Sequence, residues 1–183
     1  GVFAWYFPKL YREYVNNMRT LEKEHPYLHR NHPESVFAAA SVNFGSAAAL
    51  EHADFGNMAN GICPVWCGGS FDPTKGGHII LRQFKLIIEC PPGSIVLVPS
   101  AALRDGNTAI ASGESRVSLT QYSAGRLFRW VRYGYQTWDS LRKKGKARAD
   151  AEVSRNTRWK KEIEAFSTID GLHEDRVAAD LIV

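Results

Sequence analysis

Between residues 36 and 122 the sequence is a series of short β-prone runs, each cut off by glycine, proline, asparagine or aspartate. Val36–Phe44, Ile62–Trp66, His78–Leu81, Phe84–Glu89, Ser94–Val98 and Val117–Tyr122 are such runs, and Leu127–Val131 reads as a further one. Turn chemistry separates them: Phe71-Asp72-Pro73-Thr74-Lys75-Gly76-Gly77, then Pro91-Pro92-Gly93, then Asp105-Gly106-Asn107. Runs this short cannot form long helices. Strands at such spacing with such turns predict a β-sandwich or jelly roll.

The flanks have a different period. Leu10, Tyr14, Met18 and Leu21 recur every three or four residues, with Lys9, Arg12, Glu13, Arg19 and Glu22 between them, which predicts an amphipathic helix. His25-Pro26 stops it, because proline disfavours helix at the residue before it. His29 and His32 follow among prolines in a polar linker and read as loop residues rather than metal ligands. The chain therefore divides into an N-terminal helical segment (1–34), a mainly β core (35–132) and a basic helical C-terminal segment (133–183), an α+β arrangement. Its 183 residues, 44% of them hydrophobic, suffice for a sizeable core.

Charge is uneven. Residues 139–161 carry nine basic and three acidic side chains, so the rest of this +4 chain is slightly negative. A basic segment on a near-neutral body can meet a polyanion such as DNA or RNA, although a solvated helix face has the same composition. No apolar run is long enough to span a bilayer. Cys63, Cys67 and Cys90 are an odd set without finger spacing. They read as buried small hydrophobes in a reducing compartment, cytoplasmic or nuclear, rather than as a zinc site.

One short motif points to chemistry. In a strand, His52 and Asp54 of His52-Ala53-Asp54 point to one face. An imidazole and a carboxylate so placed supply two thirds of the facial triad that holds non-haem Fe(II). Arg116, in Gly113-Glu114-Ser115-Arg116-Val117-Ser118, opens a strand. A guanidinium turned into a jelly roll needs an anion, and a dicarboxylate would pair with it in bidentate fashion.

Longer strings carry a resemblance. They are Ser35-Val36-Phe37-Ala38-Ala39-Ala40, Asn43-Phe44-Gly45, His52-Ala53-Asp54-Phe55-Gly56-Asn57, Phe71 to His78, Pro91-Pro92-Gly93-Ser94, Val98-Pro99-Ser100-Ala101, Gly113 to Arg116 and Gln121 to Val131. Together the stretch 35–134 resembles a family of fungal 2-oxoglutarate/Fe(II) dioxygenase-like proteins, distantly similar to the TET/JBP nucleic-acid base oxygenases. The resemblance implies a double-stranded β-helix with flanking helices, with Fe(II), 2-oxoglutarate and O2 as reaction partners. It implies His52 and Asp54 as iron ligands, Arg116 as the clamp on the distal carboxylate of 2-oxoglutarate, Ser118 as an added hydrogen bond, and Asn57 beside the substrate. The implied reaction is oxidation of a methylated nucleobase in nucleic acid.

One departure stands out. Where the family places its third ligand, a histidine, this chain has Asp105 in Leu103-Arg104-Asp105-Gly106-Asn107. Three readings stay open: Asp105 is the third metal ligand, His78 replaces it, or the chain is a catalytically impaired dioxygenase-fold module kept for nucleic-acid or protein binding.

Overall fold

Helix α2 (Pro8–Glu24) follows the apolar period read from the sequence. Leu10, Tyr14, Met18 and Leu21 are all buried along one face. Pro8 opens the helix, where its missing N–H costs no hydrogen bond. His25 ends it, donating its N–H to Leu21 O at 2.9 Å. The computed structural model describes residues 1–30, 32–45, 48–145 and 157–181.

The chain forms two compact units: Gly1–Val36 with Gly125–Val183, and Phe37–Ala124. The first is helical. It contains α1 (Val2–Tyr6), α2, α3 (Gly125–Arg132), α4 (Trp138–Arg142), α5 (157–164) and α6 (Leu172–Ala178). Aromatic rings bind it together: Tyr14 lies 5.3 Å from Phe3 and 5.0 Å from Phe128, both edge-on. Arg12 caps the end of α6 through Ala178 O at 2.7 Å, and Arg176 stacks 4.0 Å above Trp5. Helix α3 corrects the strand expected at Leu127–Val131. Leu127, Phe128 and Val131 fit helical spacing as well as a short apolar strand. The packing of Phe128 on Tyr14 decides between them.

The second unit is strand-rich. Its strands are β1 (Ala39–Asn43), β2 (Cys63–Ser70), β3 (Ile79–Leu81), β4 (Leu86–Ile88), β5 (Ile95–Val98), β6 (Asp105–Asn107) and β7 (Ser115–Tyr122). They make two antiparallel sheets, ordered β1-β7-β2-β5 and β4-β3-β6. Cys67, Ile79, Leu81, Cys90 and Val98, drawn from both sheets, form one buried cluster, flanked by Val65, Ile88 and Val96. The turn into β5 has Pro92 and then Gly93 at its centre, with Gly93 at φ +92° and Ser94 N donating to Pro91 O at 3.0 Å. That is a type II turn, which glycine alone enters without strain.

The turn after β2 depends on one carboxylate. Asp72 accepts from the Thr74 hydroxyl at 2.7 Å and the Thr74 N–H at 3.0 Å, and pairs with Lys75 at 2.9 Å. These contacts, led by the Thr74 hydroxyl, push Asp72 from its ordinary 3.8 down to about 2. Among the described residues no helix is long and apolar enough to cross a membrane.

Two outcomes follow from this packing. Leu10 is fully buried, so Leu10→Ala lowers stability by about 2–5 kcal/mol in denaturant titration. Leu50→Ala, at an 89% exposed residue, stays within about 0.5 kcal/mol. The depressed Asp72 stabilises the fold above its ordinary 3.8 and ceases to do so as pH falls toward about 2. The difference in Tm between the native chain and Asp72→Ala therefore holds steady at neutral pH and closes across that acid window.

Candidate functional site

The site is built where the chain from 49 to 57 crosses β6. His52 and Asp105 exchange both backbone hydrogen bonds, His52 N to Asp105 O at 3.0 Å and Asp105 N to His52 O at 2.9 Å. Directly opposed residues of an antiparallel pair project their side chains to the same side, so this bridge sets the imidazole beside the carboxylate. Asn107 extends the contact, with Asn107 N donating to Ala49 O at 3.1 Å and its side-chain oxygen accepting from Ala49 N at 2.8 Å. Gly106 permits the close crossing: a Cβ there would lie 2.9 Å from Ala49 O and 3.2 Å from Glu51 Cα. On the other side, Glu51 bonds both Arg82 and Arg104, the latter at 3.0 Å.

His52 and Asp54 do not share a strand, which corrects the geometry expected of the motif. His52 occupies a single bridge, and Asp54 begins a turn closed by Asn57 N donating to Asp54 O at 2.9 Å. Their side chains meet nonetheless, with His52 Nε2 3.5 Å from Asp54 Oδ1. His52 Nδ1 lies 2.9 Å from Leu50 O. A carbonyl only accepts, so Nδ1 carries a proton and Nε2 is the atom turned to the carboxylate. Asp54 is fixed behind by its N–H on Ser100 O at 2.8 Å and by Asn57 Nδ2 on its Oδ2 at 3.3 Å. Asn57 also donates to Ser100 Oγ at 3.2 Å and Cys63 Sγ at 3.4 Å.

His52, Asp54 and Asn57 line a cleft of about 310 Å³ together with Ser41, Asn43, Thr120 and Tyr122. Asp105 adjoins His52, and its Oδ1 is buried without a hydrogen-bond partner. Burial pushes the Asp105 carboxyl up. His52 partly offsets this, and the Asp54 charge adds to it. His78 stands apart, its ring nitrogen 3.3 Å from Thr108 Oγ1.

Arg116 and Ser118 do not line the cleft but lie on β7, the strand that contributes Thr120 and Tyr122 to it. Ser118 pairs across the sheet with Cys67 of the core cluster, so Arg116, Ser118, Thr120 and Tyr122 all project inward from β7. Arg116 is 6% exposed, and its Nε has no partner. Ser118 Oγ accepts from Asn43 Nδ2 at 3.4 Å. The turn that delivers β7 is held by Glu114, whose carboxylate accepts from Asp72 N and Ala111 N, each at 2.8 Å.

The sequence reading missed Ser41, Asn43, Thr120, Tyr122 and Ser100. A signal was present in β7. Its polar residues alternate with Val117 and Leu119, and the usual reading turns the apolar set to the core. Here the polar set faces inward, and Val42, Leu119, Trp66 and Ile95 form a cross-strand row on the outer face.

Chemically, the His52 and Asp54 side chains face each other, and Asp105 opposes His52 through the backbone. Imidazole and carboxylate are donor types that suit a hard or borderline divalent cation. A buried guanidinium with an unmet donor suits an anion. As the side chains lie, no three His, Cys, Asp or Glu groups among the described residues are gathered closely enough to hold a metal ion.

No family model and no curated protein matches this chain. Among solved structures, NgTET1 in complex with 5mC DNA aligns over 57% of this chain and 41% of that one, with 15% identity and a TM-score of 0.45. The chain thus spans about two fifths of that protein's length. The viral collagen prolyl hydroxylase of Paramecium Bursaria Chlorella virus-1, in its 2OG complex, aligns over 60% of this chain and 70% of that one, with 12% identity and a TM-score of 0.32. Both likenesses are remote, and neither assigns the chain to a family.

The crossing makes Gly106 a test of the site's scaffold. Gly106→Ala forces the 49–51 backbone away from β6 and destabilises the protein by about 1–3 kcal/mol in denaturant titration. Gly56→Ala, where a Cβ meets nothing within 4 Å, changes stability by less than about 0.5 kcal/mol.

Proposed function

We propose that this chain is a Fe(II)/2-oxoglutarate-dependent dioxygenase-like protein acting on a methylated nucleobase in nucleic acid. The observation that carries the reading is the crossing of 49–54 over β6. It opposes His52 to Asp105, whose Oδ1 is buried without a partner, and sets His52 against Asp54, in a unit where Arg116 is buried on the inward face of β7. Strand order supports it. Two antiparallel sheets ordered β1-β7-β2-β5 and β4-β3-β6, with the His52 bridge beside β6, are compatible with a double-stranded β-helix.

His52, Asp54 and Asp105 would hold the iron. When bound, Fe(II) with 2-oxoglutarate and O2 supplies the oxidising chemistry, with succinate and CO2 as co-products. This chain's own groups bind and orient. Leu50 O keeps His52 in the tautomer that frees Nε2. Asn57 and Ser100 aim Asp54. Arg116 would take the distal carboxylate of 2-oxoglutarate, with Ser118 beside it. Asn57, Thr120 and Tyr122 form the substrate wall of the cleft. A base in a duplex must leave the stack to reach such a cleft.

The basic stretch 139–161 would hold the phosphate backbone. Within it, 146–156 lie outside the described residues, while Arg142, Lys143, Lys144, Lys160 and Lys161 are exposed. A nuclear or cytoplasmic setting follows from such a substrate. The second reading, an impaired dioxygenase-fold module kept for nucleic-acid or protein contact, is favoured by the looseness of the donor set.

Thermal shift and turnover separate the two. An active centre gains Tm with Mn(II) plus 2-oxoglutarate, about 2.7 kcal/mol of stabilisation at a hundredfold excess over Kd. His52→Ala and Arg116→Met lose that gain. Succinate forms in the native chain at a rate that Asp105→His does not raise by more than about tenfold. No shift at millimolar ligand, with succinate only from Asp105→His, assigns the chain to the impaired class.

A further inference from the structure

The core of the strand-rich unit holds two thiols that the proposed site does not use. Cys67 lies in β2 of one sheet, and Cys90 follows β4 of the other. Both are 0% exposed, and their Sγ atoms stand 2.9 Å apart. The backbone on each side is pinned. Cys67 N donates to Ser94 O at 3.1 Å, and Gly93 N donates to Cys67 O at 2.7 Å, so the 91–94 turn after Cys90 is bonded directly to Cys67. Cys67 Sγ also lies 3.0 Å from Cys90 O and 3.1 Å from Pro91 O. The third thiol, Cys63, is engaged elsewhere, accepting from Ser100 Oγ at 3.0 Å and from Asn57.

Two sulfurs held face to face by fixed backbone are poised for one reaction. We propose that Cys67 and Cys90 are a disulfide-forming pair, closed by a peroxide or a small disulfide, that joins the two sheets covalently. With hydrogen peroxide, one thiolate attacks a peroxide oxygen and the O–O bond breaks, giving a sulfenic acid and, after protonation, water. The second sulfur then attacks the sulfenic sulfur, the S–S bond forms, and a second water leaves. The two thiols lose two electrons and two protons, and the peroxide is reduced to two waters. With a small disulfide, one thiolate breaks its S–S bond to give a mixed disulfide and one free thiol, and the second sulfur then displaces the other thiol.

Burial, the Cys67 hydrogen bond and the Cys67 charge together hold the Cys90 thiol up at about 12, with Arg116 pulling the other way. Thiolate is therefore scarce in the folded state, and closure waits on local opening of the 91–94 turn. The pair is a slow staple rather than a fast sensor. It adjoins the inward face of β7, since Cys67 is the cross-strand partner of Ser118. The inference rests on the sulfur geometry and stands apart from the oxygenase reading.

The test uses the full chain in two oxidant arms: incubation of the folded protein with hydrogen peroxide, and refolding from urea in a glutathione redox buffer. The expected result is a fall from three titratable thiols to one under denaturing conditions, and a proteolytic peptide linking Cys67 to Cys90. Tm rises by about 6–12 °C over the dithiothreitol-reduced chain. Closure is faster on refolding than in the folded state. Cys63→Ser keeps the shift, and Cys67→Ala and Cys90→Ala lose it. Peptide mapping of the native chain decides the matter even where a variant fails to fold. Three free thiols in refolded native protein, a cross-link through Cys63, or a bridge that lowers Tm would each overturn the proposal.

Discussion

A pair of reciprocal backbone hydrogen bonds, between His52 and Asp105, is the contact on which the rest of the candidate site depends. It joins two chain segments more than fifty residues apart and needs no particular side chain. Its consequence is stereochemical, because opposed residues in an antiparallel pair present their side chains on the same side. Asn107 and Glu51 hold the segment on either flank, and Gly106 lets the backbones approach. Without the crossing, His52 and Asp54 would be an ordinary short motif in a loop.

The interior of the strand-rich unit is electrostatically costly. The Arg116 guanidinium is buried and the Asp54 and Asp105 carboxyls are partly buried where apolar residues would sit at lower energy, while the His52 imidazole is exposed. The Asp54 carboxylate accepts from Asn57, and Ser118 accepts from Asn43, but Asp105 Oδ1 and Arg116 Nε are left unmet. A buried acceptor and a buried donor without partners are the kind of local inconsistency that folds keep where a ligand completes them. The neighbouring thiols show the opposite case. Cys67 and Cys90 meet each other and nearby carbonyl oxygens within the apolar cluster.

Legibility differed between elements for physical reasons. Helix α2 was plain, since a four-turn amphipathic period ended by proline has few alternatives. The strands were found as runs, but β6 was not, because Asp105-Gly106-Asn107 has the composition of a turn. Residues 127–131 were misread because five apolar-rich residues fit either period, and a ring contact with Tyr14 selects the helix. In the site, His52, Asp54 and Arg116 announced themselves by residue type. Ser41, Asn43, Thr120 and Tyr122 did not, because a polar residue in a strand ordinarily faces water.

The amino-acid sequence by itself determined the local elements: the helical period of α2, the turn at Pro92-Gly93, the β-prone runs and the unequal spread of charge. These depend on neighbours within a few residues, where backbone sterics and side-chain periodicity act. Only the tertiary structure decided that Asp105 stands beside His52, that the polar face of β7 turns inward, and that Cys67 meets Cys90. Those outcomes depend on strand order and register, which arise from hydrogen bonds between distant segments, and no local pattern encodes them.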